Sequence, residues 1–196
     1  KSLYLDQVPA TLWRLSYVGE LGYEIYTDAD MALKLWDTLL EAGKEFGIIP
    51  AGRGAFNSMR LEKGYRSYGT DMTSEHNPHE AGLAFSVRKG GGYIGAEAFE
   101  AMDAAAITRK LVCLVFENPE HVVLGKEPVF VNDIPSGYIT SSYFGHSIGK
   151  QIAYAWLPIA HTTLGTQVNV KYFDAMYSAV VSDDPQFDPS MSRLRS

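Results

Sequence analysis

From Thr108 onward the chain breaks into six short apolar runs: Leu111–Phe116, Pro128–Asn132, Gly137–Phe144, Gln151–Leu157, Gln167–Phe173 and Ala175–Val181. Turn residues punctuate them at Asn118-Pro119, Asn132-Asp133, Ser136-Gly137, Pro158 and Gly165. Runs this short, separated at this spacing, predict strands of a small antiparallel barrel or sandwich.

The upstream residues follow another pattern. Leu12–Val18 and Gly22–Thr27 alternate as two strands around a turn bearing Gly19 and Gly22. Asp28 or Asp30 can cap an amphipathic helix from about Met31 to Phe46, with Leu33, Trp36 and Leu40 on its apolar stripe. A second helix is expected over Arg53 to Lys63, stopped by Gly64. Ala81–Val87 reads as a strand and Ala96–Ala106 as a short helix. The expected organisation is an α+β unit over residues 1–106 and a β-barrel over residues 107–196. The first unit has few strands for its helices and reads as half of a domain. The tail from Asp183 carries Pro185 and Pro189, has little periodicity, and is expected to wrap on the surface.

Composition narrows the function. The chain has 196 residues, 46% hydrophobic and 20% charged, which suits a globular protein with a real core. Its net charge of −6 and the lack of a basic run argue against a nucleic-acid partner. No apolar run approaches the roughly 20 residues of a membrane-spanning helix. One thiol, Cys113, lies among apolar neighbours and reads as a buried strand residue in a reducing compartment. The N-terminus lacks an initiator Met, so the chain is expected to be a fragment or a processed product.

The segment Arg14–Ile25 places a ring, Tyr17, and a carboxylate, Glu24, near the two ends of a turn. A flat, nitrogen-rich heterocycle wants that pair: a face to stack on and an acceptor for N–H donors. On a period-2 strand Glu24 shares its face with Gly22 and Tyr26. Glu20 and Glu62 read as solvated charges. Arg53 stands between Gly52 and Gly54, which leaves room around a forked donor, and Tyr65-Arg66 offers another ring and cation. The five histidines have neither HxxxH nor HExxH spacing, no GxSxG elbow occurs, and Lys89-Gly90-Gly91-Gly92 is not followed by GK[ST]. With no nucleophile–base pair in view, the chain reads as a binding unit more than a complete enzyme.

Several motifs then carry a family likeness. Arg14-x-Ser16-Tyr17-x-Gly19-Glu20-x-Gly22-x-Glu24-Ile25 resembles a segment of the glycine-cleavage T-protein (aminomethyltransferase) family. So do Met59-Arg60-Leu61-Glu62-Lys63-Gly64-Tyr65-Arg66-x-x-Gly69-x-Asp71, Asn77-Pro78-x-Glu80-Ala81-Gly82-Leu83-x-Phe85 and Gly137-x-Ile139-Thr140-Ser141. Glu62-Lys63-Gly64-Tyr65-Arg66 and the closing Asp188-Pro189-x-x-x-Arg193-Leu194-Arg195 are most similar to the folate-binding C-terminal part of dimethylglycine and sarcosine dehydrogenases.

The resemblance implies an α+β fold, the C-terminal half of the T-protein folate-binding fold followed by a small antiparallel β-barrel. It implies tetrahydrofolate as cofactor. Glu24 would accept from the pterin's N–H groups, Tyr17 and Tyr65 would contact the ring or its bridge, Arg53 would donate to a polar edge, and Phe85 would line the cavity. The family's catalytic aspartate precedes this chain, so no catalytic residue and no metal ligand is assigned. The implied function is the C-terminal part of a one-carbon transfer enzyme, whose FAD would lie in the missing N-terminal part of a longer parent. A stand-alone aminomethyltransferase, a non-catalytic folate-binding module and a folate-dependent sulfonium demethylase are the alternatives. The implied partners are folate and the missing N-terminal half of the polypeptide, with no nucleic acid or membrane. The implied location is the cytoplasm, or the mitochondrial matrix in a eukaryote.

Overall fold

A computed structural model describes residues 1–195. Its first layer is a three-stranded antiparallel sheet in the order β1-β2-β3, formed by Ser2–Leu5, Val8–Trp13 and Glu24–Tyr26. Helix α1 (Ala32–Gly43) follows and ends in a 3₁₀ turn closed by Gly47 at φ 71°. The apolar stripe foreseen on α1 is present but uncovered, with Leu33 and Trp36 72% and 52% exposed. Helix α2 (Arg53–Glu62) buries one face against the barrel, and Leu61 is fully buried there. Gly64, at φ 75°, takes the left-handed turn that stops it.

Glu62, read as a solvated charge, is instead buried and accepts from the Ser147 N–H at 2.6 Å. Three expected elements also need correction. The strand expected over Leu12–Val18 ends at Trp13, and β3 begins only at Glu24. Between them the Ser16 hydroxyl accepts from the Val18 N–H and the Tyr17 hydroxyl donates to the Arg66 carbonyl, which pulls the backbone out of the sheet. Ala81–Val87 is no strand. Asn77 Oδ1 accepts from the Glu80 N–H and Glu80 Oε2 accepts from the Asn77 N–H, a reciprocal cap that winds this stretch into helical turns. The helix expected over Ala96–Ala106 is broken into α3 (Ala96–Glu100) and a separate turn at Ala104–Ala106. There the Asp103 side chain accepts from the Ala105 N–H.

The six apolar runs form β4 (Arg109–Phe116), β5 (Pro128–Val131), β6 (Ile134–Gly145), β7 (Lys150–Pro158), β8 (Gln167–Tyr172) and β9 (Ala175–Ser182). They close into an antiparallel barrel in the order β4-β7-β6-β5-β8-β9. A four-residue helix, α4 (Ser192–Arg195), ends the described chain. Strand alternation explains the continuous apolar runs. Val112, Leu114, Ala153, Ala155 and Leu157 point into the barrel, while Leu111, Cys113, Ile152, Tyr154 and Trp156 point outward against Leu61 and Ala81. Strands β4 and β7 are therefore buried on both faces. Each fully buried Leu or Ile in these layers contributes about 1.5–3 kcal/mol.

One buried carboxylate locks the two layers together. Asp71, wholly inaccessible to solvent, accepts from Arg60 Nη1 at 2.5 Å and from the Ser67 N–H at 2.8 Å. Thr140 Oγ1 and Ser141 Oγ both donate to its Oδ1 at 2.6 Å. Consecutive strand residues normally face opposite ways. Here the β6–β7 register shifts between Ile139 and Ser141, and that bulge turns both hydroxyls toward Asp71. Arg60 also donates to the Tyr65 carbonyl at 3.0 Å, so the lock fixes the segment that follows α2.

Candidate functional site

A cavity of about 520 Å³ opens where four segments meet: the turn after β2, residues 63–66, residues 82–85 and the tail. Its size falls within the usual range for a small-molecule site. Tyr17, Tyr65 and Phe85 supply rings to its wall, and Leu83 and Met191 add apolar surface. The Tyr17 and Tyr65 rings lie 5.9 Å apart at a tilt of 37°. The Tyr65 hydroxyl reaches Met191 Sδ at 3.8 Å, and burial raises its pKa, which keeps it a phenol.

Three of the five residues named from the sequence thus converge on one cavity. Arg53 does not line it. Its guanidinium sits 4.5 Å above the Phe56 ring, and Phe56 stacks on Tyr17 at 5.2 Å, so Arg53 buttresses the wall from behind. Glu24 lies on β3 opposite Trp13, exposed and outside the cavity lining. It shares a face with Tyr26 as the alternation foresaw, and the Tyr26 hydroxyl donates to it. That hydrogen bond is the main cause of the raised Tyr26 pKa.

At the polar end of the cavity, sequence reasoning named the cation Arg66 but missed Asp184 and Lys63. Asp184, from the tail, lines it beside Arg66, with Arg66 Nη2 2.6 Å from Asp184 Oδ2. Lys63 lines it too, paired with Asp188 Oδ2 at 2.8 Å. The hydrogen bond from Lys63, then that from Ser192, holds the Asp188 carboxyl well below the usual carboxylate range. The tail has no period from which these roles could be read. Its only signal was the likeness of the Asp188–Arg195 motif to the family's closing segment.

Cys113 is buried on β4, and desolvation drives its thiol pKa far upward, so it is an inert packing residue. Among the described residues no group of three or more His, Cys, Asp or Glu is placed to hold a metal ion. No described helix is long and apolar enough to cross a membrane.

Comparison with known proteins places this architecture. Residues 1–90 match the GCVT N-terminal domain model, and residues 109–188 match the glycine cleavage T-protein C-terminal barrel domain. The chain belongs to the glycine-cleavage T-protein family. Among relatives of that family it is 36% identical to human mitochondrial dimethylglycine dehydrogenase, over 100% of this chain and 23% of that protein. It is 39% identical to an aminomethyltransferase of Symbiobacterium thermophilum, over 87% of this chain and 46% of that protein. The crystal structure of aminomethyltransferase T from Bartonella henselae superposes with a TM-score of 0.80 at 28% identity, covering 89% of this chain and 49% of that one. The chain therefore spans about half the length of the aminomethyltransferases it matches, and about a quarter of the dehydrogenase.

Proposed function

We propose that this chain is the folate-binding C-terminal part of a one-carbon transfer enzyme of the dimethylglycine or sarcosine dehydrogenase kind. The convergence of Tyr17, Tyr65 and Phe85 on one cavity carries the reading. A ring-walled cleft with a few fixed polar groups is what a flat heterocycle requires. Tetrahydrofolate, when bound, supplies an amine nitrogen that takes up a one-carbon unit. The chain's own residues bind and orient. Tyr17 and Tyr65 flank the ring, Phe85 closes the mouth, Arg53 stiffens the wall through Phe56, and Glu24, which lies outside the cavity lining, takes N–H donors from the part of the ligand that extends beyond it. The identity with dimethylglycine dehydrogenase along the full chain favours a methylated amine as one-carbon source. The stand-alone aminomethyltransferase is the second reading, favoured by the structural match to aminomethyltransferase T.

The uncovered stripe of Leu33 and Trp36 on α1 supports a further part of this proposal: the other half of the domain, from the same polypeptide, packs there. Oxidation of the amine, with its FAD, is assigned to residues outside this chain. A cytoplasmic location, or the mitochondrial matrix in a eukaryote as for the human relative, is part of the same proposal.

Isothermal calorimetry with tetrahydrofolate tests the reading. The protein should bind it, and Glu24→Ala should weaken binding by about 1.5–3 kcal/mol, the range for hydrogen bonds to a charged group. No binding overturns the folate assignment. Unchanged affinity in Glu24→Ala removes that residue from the site.

A further inference from the structure

The polar end of the cavity has its own chemistry. Asp184 supplies the one carboxylate among the described lining residues. Two partners hold it: the Tyr154 hydroxyl donates to Oδ1 at 2.5 Å, and Arg66 Nη2 meets Oδ2 at 2.6 Å. Tyr154 is wholly buried, and desolvation pushes its pKa well above the usual value, so it acts on Asp184 as a donor. Arg66 is fixed in turn by the Ala81 carbonyl at 3.2 Å and by the Gly64 carbonyl. Gly64 makes room for the carboxylate, because a Cβ there would stand 2.4 Å from Asp184 Oδ1.

An ion-paired carboxylate has acceptors only, about four lone-pair positions in all. One partner on each oxygen leaves a lone pair on each. The two cations of the lining are already matched, Arg66 with Asp184 and Lys63 with Asp188. What this end of the cavity offers a ligand is thus a rigid hydrogen-bond acceptor.

We propose that Asp184 is a specificity-determining residue, selecting the reduced over the oxidised pteridine, with Tyr154 and Arg66 as its positioning residues. The inference rests on the folate reading above. A tetrahydropteridine carries N–H donors on its reduced ring. The oxidised ring carries bare lone pairs at those nitrogens. With those ring nitrogens, rather than the amide and amine donors that both forms share, turned to the acceptor-only carboxylate, the first makes a hydrogen bond and the second leaves two acceptors facing each other. No bond is made or broken in this selection.

The test measures dissociation constants of tetrahydrofolate, kept anaerobic, and of oxidised folate for the wild-type protein and two variants. Wild type should favour the reduced form by at least about tenfold. In Asp184→Asn the amide can donate to the oxidised ring, so the preference should fall toward parity. Tyr154→Phe leaves the carboxylate in place but removes one holder, so the preference should fall partway. That variant decides the matter if Asp184→Asn does not fold. A purely structural role would weaken both ligands equally and leave their ratio unchanged, which overturns the inference while the folate reading stands. Failure of wild type to bind either form would overturn that reading and this inference with it.

Discussion

Lys63 Nζ lies 2.8 Å from Asp188 Oδ2 and also donates to the Asp188 carbonyl at 2.5 Å, joining residues 125 positions apart in the chain. Their side chains are only 1% and 8% exposed. Asp188 does two things at once. Its carboxylate neutralises the cation at the end of α2, and its Oδ1 accepts from the Ser192 N–H at the start of α4. Gly19, at φ 76°, lies against the stem of Lys63, where a Cβ would come within 2.4 Å of Cγ. The clamp therefore sets both the tail and the turn that carries Tyr17, two walls of the cavity.

This clamp predicts how the tail responds to pH. The fold lowers the Asp188 pKa, so its stabilisation is present above the ordinary carboxylate range and is lost as pH falls below it. Hydrogen-exchange protection across residues 186–193, taken against the intrinsic rate at each pH, should be high at neutral pH and fall only below about pH 4. Asp188→Asn should release the tail at neutral pH. Rapid exchange of the wild-type tail at pH 7 would contradict the clamp.

Asp71, buried and bonded to four partners, is costly to lose. Asp71→Ala leaves the Arg60 guanidinium buried without its counter-ion, and takes from Thr140 and Ser141 the acceptor at 2.6 Å that both hydroxyls share. Removing one partner of a buried pair costs about 3–5 kcal/mol. Urea unfolding should show a loss of that size, and Asp71→Asn, which keeps the shape and part of the bonding, should lose less. An Asp71→Ala variant within about 0.5 kcal/mol of wild type, the scale of an ordinary surface change, would mean that the network contributes little.

The barrel sets a steric condition at Gly137. A Cβ there would sit 1.9 Å from the Trp156 carbonyl oxygen, a backbone atom that cannot swing aside. Gly137→Ala should destabilise by about 1–3 kcal/mol or more, as overpacking does. Thermal melts followed by the near-ultraviolet signal of Trp156 would register it. A melting temperature equal to that of wild type would show that β6 can shift along β7 without cost.

The barrel was legible because its strands are local periodic objects bounded by turn residues, and each run in the sequence became one strand. The walls of the cavity were less so. Tyr17 was identified inside an expected strand, yet it reaches the cavity because that strand is abandoned after Trp13. The competing bonds of Ser16 and Tyr17 come from residues that no alternation pattern registers. Asp184 could not have been found by period or motif. It acquires its place from Tyr154 and Arg66, 30 and 118 residues away, and only folding brings them together. Glu24 was legible as a strand residue facing with Tyr26, and the structure places it so, but a strand pattern says nothing about which cleft its face borders.

Phe85 separates binding from stability. Its ring is 82% exposed although it lines the cavity, so it packs against little of the protein. Exposed substitutions of this kind change stability by no more than about 0.5 kcal/mol. If the ring instead rests on a bound heterocycle, Phe85→Ala should lose an aromatic contact worth about 0.5–1.5 kcal/mol of tetrahydrofolate affinity. The two measurements are independent, one by urea unfolding without ligand and one by calorimetry with it. The expected pattern is an unmoved unfolding midpoint with a two- to tenfold weaker dissociation constant, taking about 1.4 kcal/mol as tenfold. An unfolding midpoint that drops while affinity holds would make Phe85 a packing residue and take it out of the site.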